Sequence, residues 1–373
     1  MADIKVLPIH ATKGKMRKFV KFAWEIYCDN PNWVPPLIHD QASYITEGPY
    51  HETGVIQPFL AYREGEIVGR IIAHYDTHHN EYHNQKRGCI GFFECINDTR
   101  VSRALFDASK KWLLKQGMTE MYGPLSFIVY GPSGLLIDDY DNQPSLDLAY
   151  NPPYYIDLFL DYGFQKSSDW YAYLCPENFH IPQSLYKIRD KVLTKNKEIT
   201  FRNFNPKAFE QDNEKYLDVF NKAWQGNWEH LPFKREHFFY IASSLKPVVK
   251  PEFIIMAEHK EKLVGFILAV PDITPAIKAA NGRIFPFGFI KMLWAMRTLT
   301  RIKVFMMGVL PEYRNRGLDA VFLLYLIERG KKMGFKEADC SLLAETNTQI
   351  IKIVTHLGAQ KYKTFRHYSL SIA

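Results

Sequence analysis

The stretch VFMMGVLPEYRNRGLDA, residues 304–320, decides the fold of the second half of the chain. It opens with an apolar run typical of a strand, continues through a turn rich in Pro, Arg and Gly, and passes into a run, 320–328, that predicts a helix. Such a turn points free backbone N–H groups and the positive end of the helix dipole at one spot. Arg314 and Arg316 add fork-shaped donors suited to phosphate. The stretch therefore predicts an anion site, and the alternative is an ordinary strand–turn–helix with solvated arginines.

The length of 373 residues suits two domains, and a net charge of +7 is a mild excess without a long basic run. This charge fits an anionic small ligand or a negatively charged membrane surface at least as well as nucleic acid, for which no motif is present. The five scattered cysteines, never spaced as CxxC, argue against a disulfide framework and a zinc site. Residues 1–15 contain no apolar run of signal-peptide type. We expect a cytoplasmic protein, and the sequence predicts no oligomeric state.

The two halves of the chain repeat one another at a nearly constant offset of 195–196 residues. The matching pairs are 67–73 with 263–269, 163–166 with 358–361, and Asn151 with Asn347. Three spaced matches at one offset indicate a duplicated domain. We predict a first domain at 1–175, a connector at 176–198 and a second domain at 199–373.

The second half resembles the GNAT acyltransferase superfamily. Val309, Pro311, Arg314 and Gly317 match its acyl-CoA signature, V-x-P-x-x-[RQ]-x-x-G-x-[GA], whereas Asp319 stands where the family prefers Gly or Ala. The resemblance covers residues 200–373 directly and the first half through the repeat. It implies an α/β protein of two tandem GNAT-like domains, each a mixed, mostly antiparallel sheet flanked by helices.

The resemblance also implies that acetyl-CoA or another acyl-CoA is the acyl donor. The backbone of the turn would hold the pyrophosphate, and the strand before it would splay from its neighbour and hold the pantetheine arm. The implied cofactor-binding residues are Val309, Leu310, Glu312, Tyr313, Arg314, Asn315, Arg316 and Gly317. The equivalent stretch of the first copy, 92–103, lacks the signature. We therefore expect the first copy to shape the acceptor side without binding CoA.

The catalytic residues are less clearly indicated. Many GNAT enzymes protonate the leaving thiolate with a tyrosine, and Val354 occupies that place here. Glu345, just past a predicted strand, is the candidate base, with helix capping as the alternative. Asn347 is a catalytic or cofactor contact, or a cap. Asn227 and Trp228 are candidate acceptor contacts, although a tryptophan there is more often part of the core.

Two further stretches carry alternatives. His74, His78, His79 and His83 invite a metal interpretation, but no carboxylate spacing supports it, so we predict solvated histidines and no metal. The apolar, aromatic segment 284–297 resembles an interfacial amphipathic helix that contacts a membrane, and a lid packed on its own domain is the alternative.

The leading functional prediction is acyl-CoA-dependent N-acyl transfer to an amine, with acetyl as the default acyl group of the family. The acceptor is a small-molecule or lipid amine. Two alternatives are transfer of a long fatty acyl chain to a lipid or amino-acid amine, and a non-catalytic regulator that binds CoA or acyl groups.

Overall fold

The structure is a computed structural model that describes residues 3–177, 181–227 and 229–373. The strands, in chain order, are β1 (Ile4–Pro8), β2 (Gly54–Arg63), β3 (Glu66–Asp76), β4 (Arg87–Cys95), β5 (Glu120–Gly123), β6 (Leu135–Leu136), β7 (Gln165–Cys175), β8 (Ile199–Asn203), β9 (Ile254–His259), β10 (Lys262–Pro271), β11 (Arg301–Val309), β12 (Glu337–Ala344) and β13 (Gln360–Ser371).

The helices alternate with these strands as in an α/β protein. They are α1 (Lys13–Lys21), α2 (Ala23–Ile26), α3 (Ile38–Glu47), α4 (Thr77–His83), α5 (Thr99–Lys115), α6 (Tyr155–Tyr162), α7 (Gln183–Lys195), α8 (Phe209–Ala223), α9 (Arg235–Leu245), α10 (Thr274–Ala280), α11 (Gly288–Ala295), α12 (Leu318–Lys332) and α13 (Thr348–His356). Among these described helices, none combines the length and the apolar content needed to cross a bilayer.

Two compact units make up the chain, and each draws on more than one segment. The first contains the chain up to Tyr171 together with Thr274–Arg297 and Lys363–Ala373. The second contains Ala172–Ile273 and Thr298–Tyr362. The predicted domains 1–175 and 199–373 follow the sequence repeat. The compact units differ from it, because 274–297 and 363–373 lie in the second copy but belong to the first unit.

The sheet of the first unit follows the order β1-β2-β3-β4-β5-β13. Neighbours from β1 to β4 are antiparallel, β4 and β5 are parallel, and the C-terminal part of β13 pairs antiparallel with β5, from Tyr368 opposite Gly123 to Ser371 opposite Glu120. The last strand of the second sequence copy, from Lys363 onward, is therefore part of the first unit. Tyr368 and Ile372 are buried in the core of that unit, which explains why the C-terminal segment folds there.

The second unit has the same strand pattern, β8-β9-β10-β11-β12, with an antiparallel run followed by the parallel pair β11–β12. Gly69 lies between Ala61 and Cys95 in the first sheet, and Gly265 occupies the equivalent middle-strand position in the second sheet. A Cβ atom at either glycine would press against the helix that covers the sheet, α5 or α12. The sequence repeat is thus a structural repeat.

Two sequence expectations need correction. His74 is not solvated: it is fully buried in β3, and its ring nitrogens contact the hydroxyl of Tyr50 at 2.7 Å and the carbonyl of Leu125 at 2.9 Å. Burial lowers the pKa of His74 to about 4, because the charged ring would lose its hydration. In addition, the segment 284–297 belongs to the first compact unit, and not to the second sequence copy in which it lies.

Candidate functional site

The predicted anion-binding turn joins β11 to α12 through residues 310–317. A single 3-10 turn, Pro311–Tyr313, follows the strand, and the chain then adopts positive φ at Asn315 (60°) and at Gly317 (80°). These left-handed residues reverse the chain so that α12 starts at Leu318. The predicted strand, turn and helix are all confirmed.

The amide groups of this turn are the clearest chemical feature of the second unit. Within the described chain, the six consecutive N–H groups from Asn315 to Ala320 donate to no protein acceptor. Val321 provides the first N–H that bonds back, to the carbonyl of Gly317 at 3.4 Å. These six donors lie at the positive end of a 15-residue helix, which is an arrangement suited to a phosphate group.

The two arginines of the turn have different roles. The guanidinium of Arg314 donates to the backbone carbonyl of Ala223, the last residue of α8, at 2.6 Å and to that of Val309 at 3.4 Å. Arg314 thus links the turn to the end of α8 by a hydrogen bond, a contact that the sequence did not predict. Arg316 lies over the ring of Tyr313 at 4.7 Å and donates to the carbonyl of Glu312 at 3.2 Å. It is exposed and keeps further N–H donors for an anion.

Other predicted residues hold the turn in place. Leu310 is buried, and its N–H donates to the carbonyl of Val264 at 2.9 Å. The hydroxyl of Tyr313 contacts Nδ1 of His259 at 2.6 Å, and Nε2 of the same ring contacts Glu198 at 2.7 Å. These contacts link the turn to β9, to β10 and to Glu198 just before β8, so its amide groups are held in a fixed arrangement before any ligand binds.

The strands β11 and β12 separate as the resemblance implied. They pair in parallel only from Arg301 opposite Glu337 to Val304 opposite Cys340. Beyond this point, residues 306–309 pair only with β10 among the described strands, and the register shift between Leu268 and Ala269 skips Phe305. The separation leaves an opening between β11 and β12 whose β11 edge carries main-chain polar groups. One of them, the carbonyl of Met307, accepts a hydrogen bond from the indole of Trp224 at 3.1 Å.

Glu345 and Asn347 lie together after β12. Glu345 is half-buried in the turn that follows Ala344, and Asn347 precedes the first residue of α13. The side chain of Asn347 makes no capping hydrogen bond within the described chain, although its N–H donates to the carbonyl of Ala344 at 2.8 Å. Val354, at the place of the family tyrosine, is buried in α13. The catalytic roles of Glu345 and Asn347 remain predictions.

Sequence reasoning missed a group of buried polar residues where β11 and β12 begin to separate. Asp339 is fully buried, stands opposite Lys303 in the strand register, and accepts a hydrogen bond from the hydroxyl of Tyr362. Lys303 is 3% exposed, and Ser341 follows two residues after Asp339 on the same strand. The alternation of polar residues at 337, 339 and 341 was the available signal, because alternate residues share one face of a strand.

An apolar cavity lies beside the last paired residues of the two strands. Its lining includes Val304 and Cys340, together with side chains from α12 and α13. Further apolar lining residues are Pro176, Ile302, Leu323, Leu326, Ile327, Phe335, Ala338, Val354 and Leu357, and Lys331, Lys336 and Glu337 also border the cavity. Its volume is about 60 Å³, so it is suited to a small apolar group.

The equivalent helix of the first unit presents different chemistry. Only residues 96–98 connect β4 to α5, and Asp98 caps the helix by accepting the N–H of Arg100 at 2.9 Å. The same carboxylate pairs with the guanidinium groups of Arg63 and Arg100. These hydrogen bonds, above all those from Arg100, hold the pKa of Asp98 well below its usual range. Asp98 already accepts a first-turn N–H of α5, whereas the first N–H groups of α12 have no protein acceptor within the described residues, which favours the prediction that the first copy does not bind CoA.

The predicted acceptor residues are only partly described. Asn227 is exposed after α8, and its N–H donates to the carbonyl of Trp224 at 2.9 Å. Trp228 lies outside the described residues. An acceptor role for either residue stays a prediction.

Comparisons with known proteins agree with this geometry. The model of the Acetyltransferase (GNAT) family matches residues 213–358. Protein YghO of Escherichia coli (strain K12) is 32% identical over 368 residues, which cover 96% of this chain and 94% of that protein. The bacterial ceramide synthase of Caulobacter vibrioides is 25% identical over 380 residues, which cover 100% of this chain and 98% of that protein.

The fold has a counterpart among solved structures. A tandem GNAT protein from the clavulanic acid biosynthesis pathway superposes with a TM-score of 0.58 at 11% identity, and the match covers 100% of this chain and 99% of that chain. The chain belongs to the GNAT superfamily, and its two repeats are tandem GNAT-like domains.

Proposed function

We propose that this protein is an acyl-CoA-dependent N-acyltransferase whose donor binds at the turn between β11 and α12. The observation that carries the proposal is the row of six N–H groups from Asn315 to Ala320, at the start of α12, that find no acceptor in the part of the protein the structure describes. They suit the pyrophosphate of CoA, and Arg316 is positioned to add a charge-assisted contact. The opening between β11 and β12 would take the pantetheine arm, which bonds to main-chain groups.

In this reaction the amine nitrogen attacks the thioester carbonyl carbon, a C–N bond forms and the C–S bond breaks. The amine must lose one proton, and the departing thiolate must gain one. Glu345 is the candidate acceptor of the amine proton. A main-chain N–H at the splayed strand would stabilise the negative oxygen that develops on the carbonyl. Because Val354 cannot donate a proton, we expect the thiolate to take its proton from water.

We further propose a long fatty acyl chain rather than acetyl, and a long-chain amine as acceptor. A ceramide is an N-acylated long-chain amino alcohol, and the bacterial ceramide synthase is similar to this chain along its whole length. This similarity along the whole chain argues against the acetyl default of the family. The apolar cavity beside Val304 and Cys340 has a volume of about 60 Å³, so it would take only a small part of such a chain.

The donor site is tested by calorimetric titration of CoA into the full chain. Replacing Arg316 with Ala removes a charge-assisted contact worth about 1.5–3 kcal/mol, so we expect Kd to rise by about 10- to 150-fold. Lys332→Ala is the matched control, because Lys332 is exposed at the other end of α12 and carries the same charge. Asp319→Asn should tighten binding, since it removes a negative charge from the first turn of the helix.

Turnover is tested by thiol release from palmitoyl-CoA and acetyl-CoA, each with a long-chain amino alcohol and with a short amine. We expect release from palmitoyl-CoA with the long-chain amine, and its loss in Glu345→Gln with CoA binding retained. CoA binding without thiol release from any pair would instead favour the regulatory alternative. Unchanged CoA binding in Arg316→Ala would refute the donor site.

A further inference from the structure

The segment 284–297, which we call the aromatic platform, presents large apolar side chains to solvent. In a folded protein, such side chains are exposed singly, and a contiguous group indicates an interaction site. Their exposed fractions are Phe285 79%, Phe287 68%, Phe289 48%, Ile290 58%, Leu293 49% and Trp294 71%. Six large apolar residues exposed within ten positions therefore indicate a surface that binds a partner when the protein functions.

The aromatic platform is held firmly on the first unit at its base. The indole of Trp24 donates to the side chain of Asn281 at 3.0 Å, and the N–H of Ile38 donates to the carbonyl of Gly282 at 3.0 Å. The ammonium group of Lys278 contacts the side chain of Gln143 at 3.1 Å. A Cβ atom at Gly282 would lie 2.5 Å from the ring of Trp24, so the two surfaces are closely packed. The exposed rings are thus presented by an anchored element.

Charge identifies the kind of surface that would cover the platform. From 274 to 297 the chain contains four basic residues and no acidic residue. Arg283, Lys291 and Arg297 are exposed, whereas Lys278 is half-buried and its ammonium group is engaged at the base of the platform. Basic side chains placed among exposed aromatic and aliphatic ones are complementary to anionic lipid headgroups over an acyl layer. A second copy of the same surface would bring like charges together, which disfavours self-association.

The length of the helix in the platform limits how it could lie in a bilayer. Its helix α11, Gly288–Ala295, has eight residues and is about 12 Å long, whereas a hydrocarbon core is about 30 Å thick. The helix is therefore too short to span the bilayer and would lie in the interface. We propose that the aromatic platform docks this protein onto an anionic membrane surface, with its aromatic side chains in the headgroup region. This docking goes beyond acyl transfer and does not depend on it.

The experiment is co-sedimentation of the full chain with vesicles of phosphatidylcholine, with and without phosphatidylglycerol. The test variant carries Phe285→Ser, Phe287→Ser and Trp294→Ser. The control variant carries Leu114→Ser and Leu160→Ser, which are also exposed apolar residues of the first unit. Because all five side chains are exposed, we expect both variants to keep the thermal unfolding midpoint of the parent protein.

We expect the parent protein and the control to bind the anionic vesicles, less so at high salt, and the test variant to lose at least tenfold in partitioning. Lys291→Glu should weaken binding to the anionic vesicles while leaving the weaker binding to pure phosphatidylcholine unchanged. The proposal is overturned if the parent binds neither vesicle, or if the test variant sediments as the control does. A dimer that the three Ser substitutions dissociate, without vesicle binding by the parent, would identify a second copy as the occupant and also overturn it.

Discussion

Replacing Gly317 with Ala tests how the donor turn is built. The φ angle of Gly317 is 80°, and an added Cβ would lie 2.7 Å from a methyl carbon of Val192 on α7. Two costs therefore add. A left-handed backbone costs alanine about 1–2 kcal/mol, and the overpacked contact costs about 1–3 kcal/mol more. We expect Gly317→Ala to lower the free energy of unfolding of the second unit by about 2–5 kcal/mol, the sum of these two terms.

Gly334 separates the two costs. Its φ is 84°, and nothing described lies within 4 Å of an added Cβ, so Gly334→Ala carries only the backbone cost of about 1–2 kcal/mol. Both glycines belong to the second unit, and both variants can be followed by urea unfolding of the full chain. Adding Val192→Ala to Gly317→Ala should relieve the contact part of the loss. Equal losses for Gly317→Ala and Gly334→Ala would refute the packing of α7 on the turn.

Two predictions concern the first unit and are measured by urea unfolding at several pH values. Asp98→Ala should cost about 1–2 kcal/mol at pH 7, since it removes the cap of α5 and the partner of Arg63 and Arg100. The pKa of Asp98 is lower in the folded protein than in the unfolded chain, where it is near 3.9. Its contribution to stability is therefore present above pH 3.9 and is lost as the pH falls below that value. A stability difference between parent and Asp98→Ala that stays constant down to pH 2 would contradict the ion pairs of Asp98. For His74 the folded pKa of about 4 lies below its unfolded value near 6.5, so the unfolded state binds more protons between these values. The first unit should therefore lose stability as pH falls from 6.5 toward 4, and a parent slope that His74→Gln leaves unchanged would show that another group is responsible.

The twin helix termini show how one duplicated scaffold can hold two electrostatic environments. In the second unit, eight residues separate β11 from α12, and the first amides of this helix have no acceptor among the described residues. In the first unit, three residues separate β4 from α5, and the N-cap residue Asp98 accepts the N–H of Arg100. The same helix dipole therefore favours an external anion at α12 and is already satisfied at α5.

Local sequence patterns were sufficient for the features that depend on neighbouring residues. The apolar run, the Pro-Arg-Gly turn and the helical run of 304–320 predicted β11, the turn and α12, because strand, turn and helix preferences act over a few residues. The constant offset between 67–73 and 263–269 predicted the repeat of strand pattern, since equal sequences select equal local structure.

Tertiary structure alone decided the features that depend on distant partners. Arg314 was predicted as a phosphate ligand, yet its guanidinium bonds to the carbonyl of Ala223, 91 residues away along the chain. The alternation along β12 marks Asp339 as one of a set of polar residues, but no local pattern identifies its partner Tyr362, 23 residues away. The segment 363–373 follows the second copy in sequence but folds into the first unit, and the rings of 284–297 are exposed. Pairings of this kind are set by packing and by the satisfaction of buried polar groups, which no short window of sequence encodes.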